Sequence, residues 1–234
     1  DEVIVVDGQA AGRSWPITAV PVPADTPAYV LHTSGTTGEP KAVTQTRRGL
    51  LSQVARYVAG AGITAEDRLS LVSSLGFDAA VQDVFGALLV GASLHPVDLR
   101  GAGSGAAVAD ALVSAGVTVF HATPTVYRFV FGDELSCRHK LDGIRAVVLG
   151  GEVARRSDWT LFCTRFARGT RLVNGYGLTE STVVSQWQGD HDSRVAGELL
   201  PLGWPVSGIE VELWDESGEA GWQGEIVLRG AGLA

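Results

Sequence analysis

From Leu69 to Val173 short apolar, β-branched runs alternate with longer stretches whose apolar residues recur at helical spacing. The pattern predicts strands at 69–73, 93–97, 117–121, 144–149 and 170–173, with helices at 79–90, 106–115, 124–131 and 155–167 between them. Parallel strands need long crossovers, and helices that make them cover both faces of the sheet. The expected fold class is therefore α/β, a doubly wound, mostly parallel sheet covered by helices. Sheets of this kind take ligands beyond the carboxyl ends of their strands. Asp78, His121, Gly150-Gly151-Glu152 and Asn174-Gly175-Tyr176-Gly177 each follow a predicted strand and so fall at that edge.

Upstream lies a glycine and hydroxyl loop, Thr33-Ser34-Gly35-Thr36-Thr37-Gly38-Glu39-Pro40-Lys41, between two strand-like runs. Gly35 and Gly38 let the backbone turn where a Cβ would clash, so that N–H groups can converge on an anion. Ser34, Thr36 and Thr37 add hydroxyl donors, and Lys41 adds a mobile point charge suited to phosphate oxygens. The loop departs from the Walker pattern, because Lys41 follows Pro40 and leads into Ala42-Val43-Thr44. Ala28–Leu31 is the strand expected to deliver it, after a short strand at Val3–Val6 and a Pro-, Gly- and Ala-rich connector over residues 8–27. Beyond it, Leu50, Leu51, Val54, Tyr57 and Val58 predict a helix over 47–59, stopped by Gly60 and Gly62.

Composition narrows the partners. A net charge of −8, with no basic run, argues against nucleic acid as a partner. No apolar run spans a bilayer and the first residues lack a signal's basic start, so a cytoplasmic protein is expected. Cys137 and Cys163 lack metal-type spacing and read as buried or free thiols. With no Met anywhere, the sequence reads as beginning mid-fold. After a Pro and Gly linker at 201–208, Val211–Leu213 and Glu225–Leu228 predict a hairpin-rich region.

The loop at 33–41, Phe77-Asp78, Asn174-Gly175-Tyr176-Gly177-Leu178-Thr179-Glu180 and Gly224–Ala234 occur in an order and spacing similar to the adenylate-forming enzymes. Among these the chain most resembles the adenylation domain of a nonribosomal peptide synthetase, from about Ala28 to its end. The resemblance implies a partial large subdomain over 1–204 and the start of a β-rich subdomain over 205–234. It implies activation of an amino acid by ATP to the aminoacyl-adenylate and pyrophosphate, for transfer to a carrier protein's phosphopantetheine thiol.

Thr33, Ser34, Gly35, Thr36, Thr37, Gly38 and Lys41 would then hold the β- and γ-phosphates. Tyr176 would stack on adenine, with Asn174 and the Gly151 backbone near its amino edge. Thr179 would face the α-phosphate, and Glu180 would bind Mg2+, a hard cation that prefers carboxylate oxygen. Asp78, at a strand-to-helix junction, reads first as an N-cap. By resemblance it pairs with the α-ammonium of an amino acid, which enzymes for aryl or fatty acids do not need.

The remaining pocket positions carried over are Ala79, Gln82, His121, Val148, Gly150, Gly175, Val183 and Val184. With no carboxylate or lysine other than Asp78 among them, an apolar side chain is expected, proline-like or small aliphatic. His121, in a β-rich run, reads as hydrogen-bonded structure rather than as a catalyst.

The family's ribose-binding aspartate and the bridging lysine of its small C-terminal domain fall beyond Ala234, so the 234 residues alone are expected to have little activity. A helper protein or neighbouring synthetase domain is a further expected partner. The alternatives are an acyl- or aryl-coenzyme A ligase, which lacks the need for Asp78, and a truncated, non-catalytic module.

Overall fold

The computed structural model describes residues 20–34, 39–133, 141–230 and 233–234. The strand expected at Val3–Val6, the connector up to residue 19, Gly35–Gly38 of the loop, Cys137 and Lys140 lie outside the described residues. An antiparallel hairpin comes first, β1 (Pro27–Ser34) with β2 (Pro40–Thr46), and Ser34 pairs with Pro40 at the loop end of the ladder. β2 runs directly into α1 (Arg47–Ala61). Thr46 caps that helix by accepting the Gly49 N–H at 3.1 Å, and Gly62 ends it at φ 60°, as the paired glycines predicted.

The alternation then follows as β3 (Arg68–Leu71), α2 (Asp78–Val90), β4 (Ser93–Pro96), α3 (Gly105–Ser114), β5 (Val119–Ala122), α4 (Pro124–Phe131), β6 (Ala146–Leu149), α5 (Arg156–Arg165) and β7 (Arg171–Leu178). These strands pair in parallel in the order β4-β3-β5-β6-β7. Two antiparallel strands, β8 (Thr182–Gly189) and β9 (Trp204–Pro205), extend the sheet beyond β7. A separate hairpin of β10 (Ile209–Trp214) and β11 (Glu225–Gly230) occupies the region predicted to be hairpin-rich.

β5 and β6 are buried at every residue, which requires cover on both sheet faces. Side chains alternate between the faces. Val119, Ala146, Val148 and Val173 pack with Tyr57 and Ala61 of α1 and Ala87 of α2. Phe120, Val147, Leu149 and Leu172 pack on the other side with Leu112, Tyr127, Phe131 and Phe162 from α3, α4 and α5. Phe131 meets both Phe120 and Phe166 edge-on, with centroids 5.0 Å apart in each pair.

The sequence reading differs from the structure along β7 and β8. Gly175 and Gly177 have little β propensity, and their motif was expected to follow a strand ending at Val173. Pairing with β8 instead carries β7 through to Leu178, because the ladder supplies the order that the residues lack. Part of the predicted linker is likewise strand: Trp204 and Pro205 pair with Gln186 and Ser185 at the sheet edge, where proline is tolerated.

Asp67, just before β3, ties together the lead-ins to three strands. It accepts the Thr64 N–H at 2.8 Å, the Thr118 hydroxyl at 2.7 Å and Arg145 Nε at 2.8 Å. Burial alone would raise its pKa, but the hydrogen bonds from Arg145, Thr64 and Thr118 outweigh it and hold the carboxyl at about 2, below the usual 3.8. A depressed carboxylate pKa contributes stability that is complete above the unfolded value and is lost as pH falls through the folded one. Asp67→Asn is therefore expected to lower unfolding free energy by ~2 kcal/mol at pH 7, with the gap to the unsubstituted protein closing between about pH 4 and pH 2 in chemical denaturation.

Candidate active site

β5, β6 and β7 end at one edge of the sheet, and a cavity of about 420 Å³ opens there. Its walls come from the segment after β3, the first turns of α2, the ends of β5 and β6, and the β7–β8 pair. α2 starts at this edge, and Asp78 is its first helical residue with Phe77 as the cap, so Asp78 is not itself the N-cap. Asp78 Oδ1 accepts the Ala79 N–H at 2.9 Å, and a carboxylate in the first turn is favoured by the helix dipole.

The cavity brings together Asp78, Ala79, Gln82, His121, Val148, Gly150, Gly175 and Val183, together with Gly151 and Tyr176. Val184 is fully buried and is not among the lining residues, since its neighbour Val183 takes the cavity face of β8. Asn174 is buried and spends its side-chain amide on the Pro201 carbonyl at 2.9 Å, also outside the cavity lining. Thr179 and the exposed Glu180 sit in the β7–β8 turn, where the Glu180 carbonyl accepts the Ala234 N–H at 2.7 Å. Thr33, Ser34 and the exposed Lys41 belong to the β1–β2 hairpin, with Thr33 paired opposite Lys41.

The cavity wall contains a network that the sequence reading missed, since Tyr57 and His121 both line it. Tyr57 of α1 donates its hydroxyl to Asp83 Oδ1 at 2.7 Å, and His121 Nδ1 meets the same oxygen at 2.8 Å. Asp83 is 0% exposed, and among the described residues its Oδ2 has no hydrogen-bond partner. Burial by itself lowers the His121 pKa, but the charge and hydrogen bond of Asp83 outweigh it and the net shift is upward. Burial and the adjacent Asp83 charge push the Tyr57 pKa well up, so its hydroxyl stays a donor. The available signal was spacing: Asp83 lies four residues after Ala79, on a helix whose first turn was already assigned to the pocket.

Glu152 fixes the loop after β6. Its Oε2 accepts both the Thr125 N–H at 3.0 Å and the Thr125 hydroxyl, at the start of α4. Burial raises its pKa, but the bonds from Thr125 and Thr123 and the nearby Arg128 charge hold it below the usual carboxylate value.

The β7–β8 turn is strained. The ladder shifts register between Tyr176 and Gly177, a bulge that re-aims the strand at the cavity rim. Thr182, a buried β-branched residue, adopts φ 55°, which costs about 1–3 kcal/mol. A Cβ at Gly177 would lie 1.3 Å from the Thr182 carbonyl oxygen, so no side chain fits there.

A doubly wound sheet with a cavity at the carboxyl ends of its strands defines an α/β fold of the kind that takes ligands at that edge. The chain belongs to the AMP-binding enzyme family, which matches residues 3–234. It is 31% identical over 233 residues to bacitracin synthase 3 of Bacillus licheniformis, covering 98% of this chain and 4% of that protein. It is 33% identical over 219 residues to syringomycin synthase SyrB1 of Pseudomonas syringae pv. syringae, covering 91% of this chain and 35% of that protein. Among solved structures, CmiS6 superposes with a TM-score of 0.80 at 26% identity, over 92% of this chain and 51% of the other. The Klebsiella oxytoca NpsA N-terminal subdomain in complex with 3-hydroxybenzoyl-AMSN gives 0.74 at 25% identity, over 91% and 54%. The chain thus spans a small part of these synthases and about half of the solved chains, in keeping with the partial large subdomain expected from the motifs.

Gly175 and Gly177 separate packing from cavity space. Gly177→Ala is expected to cost ~3 kcal/mol through its clash with Thr182. A Cβ at Gly175 would lie 3.7 Å from the Leu149 carbonyl oxygen and 4.0 Å from Val183 Cγ1, ordinary contacts. Gly175→Ala should therefore keep its melting temperature while shrinking the cavity, a contrast that thermal melts of the two variants check.

Proposed function

We propose that this chain is the nucleotide- and amino-acid-binding part of an adenylation domain that activates a compact α-amino acid with ATP. One observation carries the reading: a single cavity is lined by Asp78 on one side and by Gly151 and Tyr176 on another. An amino acid whose ammonium meets Asp78 and whose carboxylate points toward a nucleotide held at Tyr176 has its reacting oxygen between the two. The carboxylate oxygen attacks the α-phosphorus, a new P–O bond forms, the bond to the bridging oxygen breaks, and pyrophosphate leaves. Holding the acid and the α-phosphate in line is the main contribution asked of the protein.

In this reading Tyr176 stacks on adenine, Lys41 with the residues of the 33–41 loop holds the β- and γ-phosphates, and Thr179 faces the α-phosphate. Among the described residues no group of three or more His, Cys, Asp or Glu side chains forms a ready metal cage. Mg2+ keeps its waters and takes phosphate oxygens with one or two carboxylates, so the exposed Glu180 in the β7–β8 turn suits it as a single ligand. The ion would supply charge neutralisation on the phosphates. Asn174 would act there only after giving up its bond to Pro201.

The side chain that fits is compact. Ala79, Val148 and Val183, with Gly150 and Gly175, make small apolar walls, which is the basis for expecting a proline-like or small aliphatic residue. The acyl-adenylate is passed to a carrier protein's phosphopantetheine thiol, with a neighbouring synthetase domain or helper protein as a further partner, in the cytoplasm. Among the described residues no helix is long and apolar enough to cross a membrane.

The test is amino-acid-dependent exchange of labelled pyrophosphate into ATP by the full-length protein. Asp78→Ala is expected to lower kcat/KM for the amino acid about 100-fold, the effect of losing the partner of a buried charge, while KM for ATP stays within about twofold. The NpsA complex carries a 3-hydroxybenzoyl group, so an aryl acid is the pointed control. Exchange with aryl or fatty acids alone assigns the chain to the acid:coenzyme A ligases. Absence of exchange with any acid assigns it to the non-catalytic modules.

A further inference from the structure

The floor of the cavity is not apolar. Asp78 and Gln82 lie four residues apart on α2 and therefore on one face, with about 6 Å of helix rise between them. An amino acid whose ammonium meets Asp78 thus directs its side chain toward Gln82. Gln82 is 5% exposed, lines the cavity, and among the described residues has no protein hydrogen-bond partner. His121 projects from β5 on the same sheet face as Val148, its pairing partner, and is also 5% exposed. Its Nδ1 is committed to Asp83, so Nε2 is the ring atom left for the cavity.

Asp83 decides what Nε2 offers. Buried with a Tyr57 hydroxyl and an imidazole against one oxygen, it has His121 as its ion-pair partner. An isolated buried carboxylate costs several kcal/mol, and an imidazolium beside it neutralises the pair. A neutral His121 donating from Nδ1 would present a lone pair at Nε2, and a cationic one presents an N–H. A hydroxyl or an amide satisfies either form. A carboxylate side chain would enter without a cation of its own, because the ammonium is taken by Asp78 and the imidazole by Asp83, and an aliphatic one would leave two buried polar groups without partners.

We infer that Gln82 and His121, with Asp83 and Tyr57 behind the histidine, form a polar subsite that selects a compact substrate side chain bearing a neutral hydroxyl or amide group. This rests on the adenylation reading above, keeps its compact size limit and replaces the proline-like or small aliphatic side chain with a small polar one. Gln82 and His121 touch the substrate. Asp83 is a positioning residue that fixes the ring and its proton. The apolar walls set the size limit and the two floor groups set the polarity.

The experiment compares near-isosteric pairs in pyrophosphate exchange by the full-length protein: threonine against valine, serine against alanine, asparagine against leucine, with proline and aspartate alongside. One polar member is expected to exceed its apolar partner by about 100-fold in kcat/KM, the scale on which sites built to hydrogen-bond a group reject analogues lacking it. His121→Phe and Gln82→Leu should each reduce that ratio to below about tenfold while KM for ATP is unchanged. Asp83→Asn should reduce the ratio with the same unchanged ATP KM, an effect that general loss of packing would not confine to one substrate. Proline, valine or alanine leading the panel overturns the polar subsite and leaves amino-acid activation standing. An aspartate-led panel, or a polar preference that survives His121→Phe and Gln82→Leu, overturns the subsite too. No exchange with any amino acid overturns the adenylation reading itself, and the subsite with it.

Discussion

Complete burial of β5 and β6 is the constraint from which the rest of the architecture follows. A strand buried on both faces cannot offer a side chain to water from its middle, so α1 and α2 close one face and α3, α4 and α5 the other. Ligand access is left to the strand ends. His121 and Val148 can line a cavity because they sit at that end, two residues beyond the Val119 and Ala146 that make the core on the same face. Core and site are thus alternate residues of the same strands, and the stiffness of one is available to the other.

The elements of the doubly wound half were legible because two periods alternate cleanly in the sequence, and glycine or a hydroxyl residue marks several helix ends. Thr46 before α1, Ser104 before α3 and Thr123 before α4 each accept a backbone N–H as caps. What was not legible is what depends on a partner strand. Gly175 and Gly177 are extended because Gln186 and Val183 lie opposite them, a fact of pairing that no local window contains. The same pairing decides that Val183 faces the cavity and Val184 the interior. Motif alignment brings in both neighbours, and only the pleat tells them apart.

The polar contacts around His121 were not legible for a related reason. A tabulation of side chains treats His121 as one neutral ring among aliphatic walls. Its chemistry is set by Asp83, which lies outside any such tabulation and reaches the ring from a different element. Tyr57 was legible as an apolar position of a helix, and it is buried as expected, but its hydroxyl is the part that matters to the site. Amphipathic residues hide this double role in hydropathy patterns.

The charges of the cavity form a sequence along α2. Asp78, at the helix start, is half-exposed and gains from the dipole, and among the described residues it has no ion-pair partner, which leaves it open to a cation from outside. Asp83, more than a turn further in, is sealed from water and answered by His121 from within the protein. One helix therefore carries two carboxylates in opposite settings, one open to the cavity and one answered by a histidine. Glu152 also lines the cavity but is committed to the Thr125 N–H and hydroxyl, so with the deeper carboxylate answered internally Asp78 is the acid of α2 that faces the cavity open to a ligand cation.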